Sequence, residues 1–116
     1  MEAYRLVDIA HKHKFTLYEY FITDRTGHAQ DMTTALKVLT DLARFIRTVL
    51  ARIALARTTV ILTSDHGNIE DLSIRNHTLN FVPTLAWGAG REHVRARVRS
   101  LADITPTIIE LLTRED

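Results

Sequence analysis

The sequence has no cysteine, only two prolines and four glycines, and almost no charge imbalance, with 15 Lys and Arg set against 14 Asp and Glu. Without thiols there are no disulfides and no thiolate metal ligands, so a bound metal must be held by His, carboxylate or carbonyl groups. Near-neutral charge gives no global case for nucleic-acid binding, and the local basic run of Arg91, Arg95, Arg97 and Arg99 reads as solvated surface. No apolar stretch approaches the length that spans a bilayer, and the opening MEAYRLVDIAHKHK lacks the basic-then-apolar order of a secretory leader. A cytoplasmic protein without nucleic-acid or membrane partners is the expectation. The scarcity of Gly and Pro leaves no linker or low-complexity segment, so residues 1–116 read as one domain. With 46% hydrophobic residues it can build a modest core.

Hydrophobic periodicity supplies the elements. Ala3, Leu6, Val7 and Ala10 share one helical face, predicting a helix from residue 2 to about 14 that ends in the basic HKHK. FTLYEYFIT, residues 15–23, is dense in aromatic and β-branched groups and reads as a largely buried strand. Met32, Leu36, Leu39, Ala43, Ile46, Leu50 and Ile53 step by three or four, predicting a long helix with that stripe inward. Taken as about 25 residues it would be roughly 37 Å long, against a radius of gyration of about 13 Å for a compact chain of this size. Such a helix belongs in a larger domain. TTVILTS (58–64) reads as a strand covered on both faces, and FVPTLAWG (81–88) as a strand whose Pro83 favours an edge, a start or a bulge. DITPTIIELLT ends the chain in a helix, with a cap at Asp103 or Thr105 and Pro106 in its first turn. This order predicts an α/β fold with at least partly parallel strands.

The polar residues gather where strands stop. YFIT runs into Asp24, with Gly27 and His28 following, and VILTS runs into Asp65 and His66, with Gly67 behind them and His77 eleven positions after His66. Adjacent strand residues point to opposite faces, so Asp65 and His66 can serve one centre only where the strand breaks, and Gly67 supplies a break. Three His and two Asp form a mixed nitrogen and oxygen donor set suited to Zn²⁺ or Mn²⁺ more than Ca²⁺. The same residues have plain structural uses: Asp24 as a helix cap, Asp65 and Asn68 as turn formers. His11 and His13 read as a solvated helix end, His93 as part of the basic surface, and Trp87 and the Tyr18–Phe21 aromatics as core.

TSDHGNIED, NHT, VPTLAWG and LADITPTIIELL, preceded by YFITDRTGHAQD, appear in the order of a known pattern. From about residue 15 onward the chain resembles the C-terminal part of the alkaline phosphatase superfamily, nearest to the cofactor-independent phosphoglycerate mutase and phosphopentomutase branch. The resemblance implies part of a three-layer α/β/α sandwich on a mixed, mostly parallel sheet, and two divalent metals, Mn²⁺ or Zn²⁺. By the same resemblance Asp24, His28 and His77 hold one metal, whose site is complete, while Asp65 and His66 contribute to a second, half-built one. The implied chemistry is attack of a Ser or Thr hydroxyl on a phosphorylated small molecule. The family's nucleophile and a further Asp ligand lie upstream of these motifs, and Ser64 is in the wrong motif to replace the nucleophile. A chain inactive alone is therefore expected, completed by a missing N-terminal segment or covered by homo-oligomerisation. The alternative is a non-catalytic metal-binding or partner-binding module retaining the fold. An HD-type phosphohydrolase would need its His-Asp pair on a helix, and the order here is Asp-His after a strand.

Overall fold

A computed structural model describes residues 2–114. Five α-helices, α1 (Glu2–Ala10), α2 (Ile22–Ala29), α3 (Met32–Arg52), α4 (Arg91–Arg97) and α5 (Ile104–Thr113), accompany two strands, β1 (Thr59–Thr63) and β2 (Thr84–Gly88). The fold is α/β. Its one sheet among the described residues is two-stranded and antiparallel, with Val60 opposite Trp87 and Leu62 opposite Leu85. The expected mixed, mostly parallel sheet is thus not formed by these residues. No helix among them is long and apolar enough to cross a membrane.

The main core lies between α1 and α3. Ala3 and Val7 pack with Val49 and Ile53, and Leu6, Ala10, Phe45, Leu55 and Val60 close around them. The Arg52 guanidinium lies 4.1 Å from the centre of the Tyr4 ring and covers one end. α1 is shorter than expected, stopping at Ala10, and the following His11 is not simply solvated: its Nε2 accepts the Ala54 N–H at 3.3 Å.

Two expectations fail for a shared reason, the lack of a covering element. Residues 15–21 form no strand, and helix α2 already begins at Ile22, so Thr23 and Asp24 sit in a helical first turn. β-propensity is realised only against a neighbouring strand; here Tyr18 instead stacks on Phe45 of α3, with ring centres 5.1 Å apart. On α3 the predicted stripe is inward only toward the C-terminal end. Of the stripe, Ile53 is buried just past the helix while Met32, Leu36 and Leu39 are exposed; the buried residues of α3 itself, Ala35, Val38 and Val49, lie outside that stripe. The helix itself starts where expected, because the Asp31 carboxylate accepts the Thr34 N–H at 3.1 Å.

The C-terminal third packs as a smaller unit. Val94 of α4 is buried beside β2, and the Gly90 N–H donates to Thr59 Oγ1 at 2.9 Å. Pro83 directly precedes β2, where its missing donor costs nothing. Gly88 has φ of 89°, and a Cβ there would lie 1.9 Å from the Thr58 carbonyl oxygen, so no other residue fits this strand exit. Asp103 turns the chain into α5 by accepting the N–H groups of Arg99 and Ser100 at 2.8 and 2.9 Å. His93 is not part of a solvated run: it and Arg97 both bond Glu110 of α5, at 2.6 Å each.

The division between buried and open apolar residues is testable by urea denaturation. Ile53→Ala, in the α1–α3 core, is expected to cost about 2–4 kcal/mol. Ile109→Ala, at a position 55% exposed, is expected to stay within about 0.5 kcal/mol.

Candidate metal centre

Three chain segments converge on the Asp24 carboxylate. Asp24 and His28 are one turn apart on α2, which puts them on the same helical face. His66 follows β1, and His77 comes from the loop leading to β2. The Nε2 atoms of His28, His77 and His66 lie 3.4, 3.3 and 3.6 Å from Asp24 Oδ1. The His66 and His77 rings stack with centres 3.4 Å apart. Asp65 stands at the rim, its side chain 88% exposed and its Oδ1 3.5 Å from His66 Nε2. All five predicted residues are therefore gathered at one place. Asp24, His28 and His77 form the tight set, with ligand atoms within 4.8 Å of one another.

The surrounding bonds orient these groups. His28 Nδ1 is 2.6 Å from the Arg75 carbonyl oxygen and His66 Nδ1 is 3.2 Å from that of Gly67. A carbonyl only accepts, so each Nδ1 carries the hydrogen and each Nε2 is left to face the carboxylate. The Asn68 amide donates to Asp24 Oδ1 at 2.8 Å and to the Asp24 carbonyl at 3.2 Å. Burial works to raise the Asp24 pKa, but the Asn68 hydrogen bond and the three imidazoles outweigh it and hold the carboxyl below its ordinary value.

Two glycines allow this approach, by space and not by unusual backbone angles. A Cβ on Gly27 would lie 1.8 Å from Asn68 Oδ1, and one on Gly67 would lie 2.1 Å from Thr78 Oγ1. The break expected at Gly67 is a close crossing: the Thr78 N–H donates to the Gly67 carbonyl at 2.9 Å in an isolated antiparallel bridge. Within that crossing Glu70 accepts from the Thr78 hydroxyl, from the Asn68 N–H at 2.5 Å and from the Asn80 amide at 3.1 Å. Burial opposes ionisation of Glu70, yet these bonds, led by Thr78, lower its pKa to about 2. Asn68, Glu70 and Thr78 were missed as site residues. The signal available was the position of Asn68 beside Gly67 and of Thr78 next to His77; Glu70 had none.

The donor set fits a divalent cation. Separations of 3.3–3.6 Å are long for N–H···O bonds. Neighbouring ligands of one tetrahedral ion, each about 2.1 Å from it, lie roughly 3.4 Å apart. The imidazoles of His28 and His77 and the Asp24 carboxylate, with His28 and Asp24 supported from behind by the Arg75 carbonyl and the Asn68 amide, are the kinds of group that hold a divalent ion.

A family model described as the metalloenzyme superfamily matches residues 2–116. The chain belongs to the metalloenzyme superfamily. Among curated members, a 2,3-bisphosphoglycerate-independent phosphoglycerate mutase of Desulforudis audaxviator is 33% identical over 111 residues, covering 87% of this chain and 21% of the relative. The enzyme of the same name from Haloquadratum walsbyi is 34% identical over 85% of this chain and 21% of its own length. That of Ehrlichia ruminantium (strain Gardel) is 27% identical over 97% of this chain and 25% of its own. The chain thus spans about a fifth to a quarter of the length of these metalloenzyme relatives. No solved structure gives a significant match.

Two outcomes follow from the support around the metalloenzyme centre. Gly27→Ala drives a methyl into Asn68 and is expected to destabilise the fold by about 1–3 kcal/mol, with the Asn68 side-chain amide resonances displaced in NMR spectra. Glu70 is more acidic folded than unfolded, so its contribution is complete above its ordinary pKa of 4.5 and is lost as pH falls toward about 2. Acid unfolding followed by circular dichroism should show that loss in the native chain and a shallower one in Glu70→Gln.

Proposed function

We propose that the chain is the metal-binding part of a phosphoglycerate mutase-like phosphotransferase acting on a phosphorylated small molecule. In this reading Asp24, His28 and His77 hold one divalent ion, Mn²⁺ or Zn²⁺, and Asp65 and His66 contribute to a second. The observation that carries it is the convergence of the His28 and His77 Nε2 atoms on Asp24 Oδ1, at 3.4 and 3.3 Å, with all three ligand atoms within 4.8 Å of one another. Bound ions would neutralise charge on a transferred phosphoryl group and acidify an attacking hydroxyl. The protein's own part is positioning: Asn68 holds the Asp24 carboxylate, and the Arg75 carbonyl fixes the His28 ring. A cavity of about 530 Å³ adjoins Asp65 and His66, with Asn80, Arg99 and Ser100 on its wall. Its size suits a small phosphate ester, and Arg99 offers an anion a charged fork.

The nucleophile is not supplied by Ser64, whose hydroxyl donates to the His66 carbonyl at 2.8 Å and belongs to the turn. We therefore expect no phosphotransfer from this chain by itself. The larger, mostly parallel sheet layered with helices goes with the same reading, β1 and β2 being two of its strands. One observation favours a second reading, a module that binds a partner and not a substrate: Leu79 and Phe81, on the loop beside the cavity, are fully exposed.

Isothermal titration with Mn²⁺ and with Zn²⁺ tests the proposal. The native chain should bind, and Asp24→Ala and His77→Ala should not. Asn68→Ala should weaken binding about 10- to 100-fold as a supporting residue. Equal binding by Asp24→Ala would remove the site, and full turnover of a phosphate ester by this chain alone would remove the expectation of inactivity.

A further inference from the structure

Gln30 holds a conformation that its residue type does not favour. It stands between the end of α2 at Ala29 and the Asp31 cap of α3, and among the described residues it alone combines a side chain with a left-handed backbone, at φ 57° and ψ 28°. The turn explains the backbone. There the Gln30 N–H donates to the Gly27 carbonyl at 3.2 Å and closes the helix. It does not explain the glutamine. Glycine takes this position without steric cost and Asn more readily than most residues, whereas a longer side chain is disfavoured by its Cβ.

The side chain supplies the reason. Gln30 Nε2 donates to the Leu72 carbonyl, 42 positions further along, at 3.0 Å. Leu72 sits inside a tight turn, in which the Ile74 N–H donates to the Asp71 carbonyl at 3.3 Å and the Asp71 carboxylate accepts the Ser73 N–H at 3.0 Å. Beyond that turn residues 75–77 take part in no backbone–backbone hydrogen bond, until the Thr78 N–H reaches the Gly67 carbonyl. This stretch contains both the Arg75 carbonyl, which orients His28, and His77 itself. Its two ends decide where both go: the Gly67–Thr78 bridge holds one, and Gln30 ties the other to α2. A solvent-exposed neutral hydrogen bond adds only modestly to global stability, so its value here is placement.

We infer that Gln30 is a positioning residue of the candidate metal centre: its amide draws the Leu72 turn onto α2, and so sets the carbonyl that orients His28 and the stretch that carries His77. It joins two other ties between α2 and this loop, Asp24 with Asn68 and His28 with Arg75, and it is the one whose α2 member offers no ligand. Its part is to place ligands and not to be one. Glutamine where glycine fits best is the mark of that part, since the unfavourable backbone is kept together with the donor. The inference rests on the proposed metal binding, in which His28 and His77 hold one ion with Asp24.

Two substitutions separate placement from stability. Gln30→Gly removes the donor and relieves the backbone, whereas Gln30→Met keeps the length and the backbone cost and removes only the donor. Thermal unfolding of the metal-free chain should therefore place Gln30→Gly above Gln30→Met in Tm, and no lower than the native chain. Isothermal titration with Mn²⁺ and with Zn²⁺ should nonetheless show both variants weakened alike, roughly tenfold in dissociation constant. In nitrogen-15 spectra of the metal-free chain at mildly alkaline pH, the His28 ring should keep its hydrogen on Nδ1 in the native protein and exchange between the two tautomers in both variants. Affinity that follows Tm, or native affinity in Gln30→Gly, overturns the inference, as does an unchanged His28 ring in both variants. A native chain that binds neither ion removes the proposed function, and the His28 signal then decides alone whether Gln30 places that ring.

Discussion

The hydrogen bond from the Asn68 amide to Asp24 joins helix α2 to a loop 44 residues further along the chain, and the candidate metal centre depends on it. It fixes the carboxylate oxygen on which three imidazoles converge. It also requires Gly27, because any side chain there would occupy the space of the Asn68 amide. The same approach leaves Asn68 Oδ1 buried without a hydrogen-bond partner. An unsatisfied buried acceptor costs on the order of 1–3 kcal/mol, so the fold gives up stability at this crossing to hold Asp24 in place.

Around that bond the loop from Gly67 to Thr78 is organised as a frame. Its ends meet in a single bridge, Glu70 ties the crossing from within, and its outer part returns to α2 twice, through Arg75 to His28 and through Leu72 to the Gln30 amide. The His28 imidazole is thereby set by a partner outside the centre. Helix α3 and the α1 core provide the rigid base under α2 but no donor, whereas β1 delivers Asp65 and His66 directly. Scaffold and site are thus separable in sequence though contiguous in space.

The centre was more legible in the sequence than the fold around it. Asp24, His28, Asp65, His66 and His77 could be picked out because strand ends, a one-turn spacing and a glycine are local features. Asn68 stood in the same stretch and read only as a turn former, since hydrogen bonding across 44 residues has no local signature. The failures lie where a local preference needed a distant partner. Residues 15–23 have strand chemistry but no strand to pair with, and α3 has an apolar stripe wider than the surface α1 and α2 present to it. The antiparallel pairing of β1 and β2 was likewise beyond periodicity, which shows which residues form strands and not their direction.

The links that build the centre, His28 to Arg75, Gln30 to Leu72 and Asp24 to Asn68, each close more than forty residues of chain. In the unfolded chain these donors are far apart and have no common focus. An ion that prefers the centre therefore binds the native state and hardly the unfolded one, which makes its concentration a thermodynamic variable of folding itself. Stability measured for this chain is a property of chain and medium together, and not of the sequence alone.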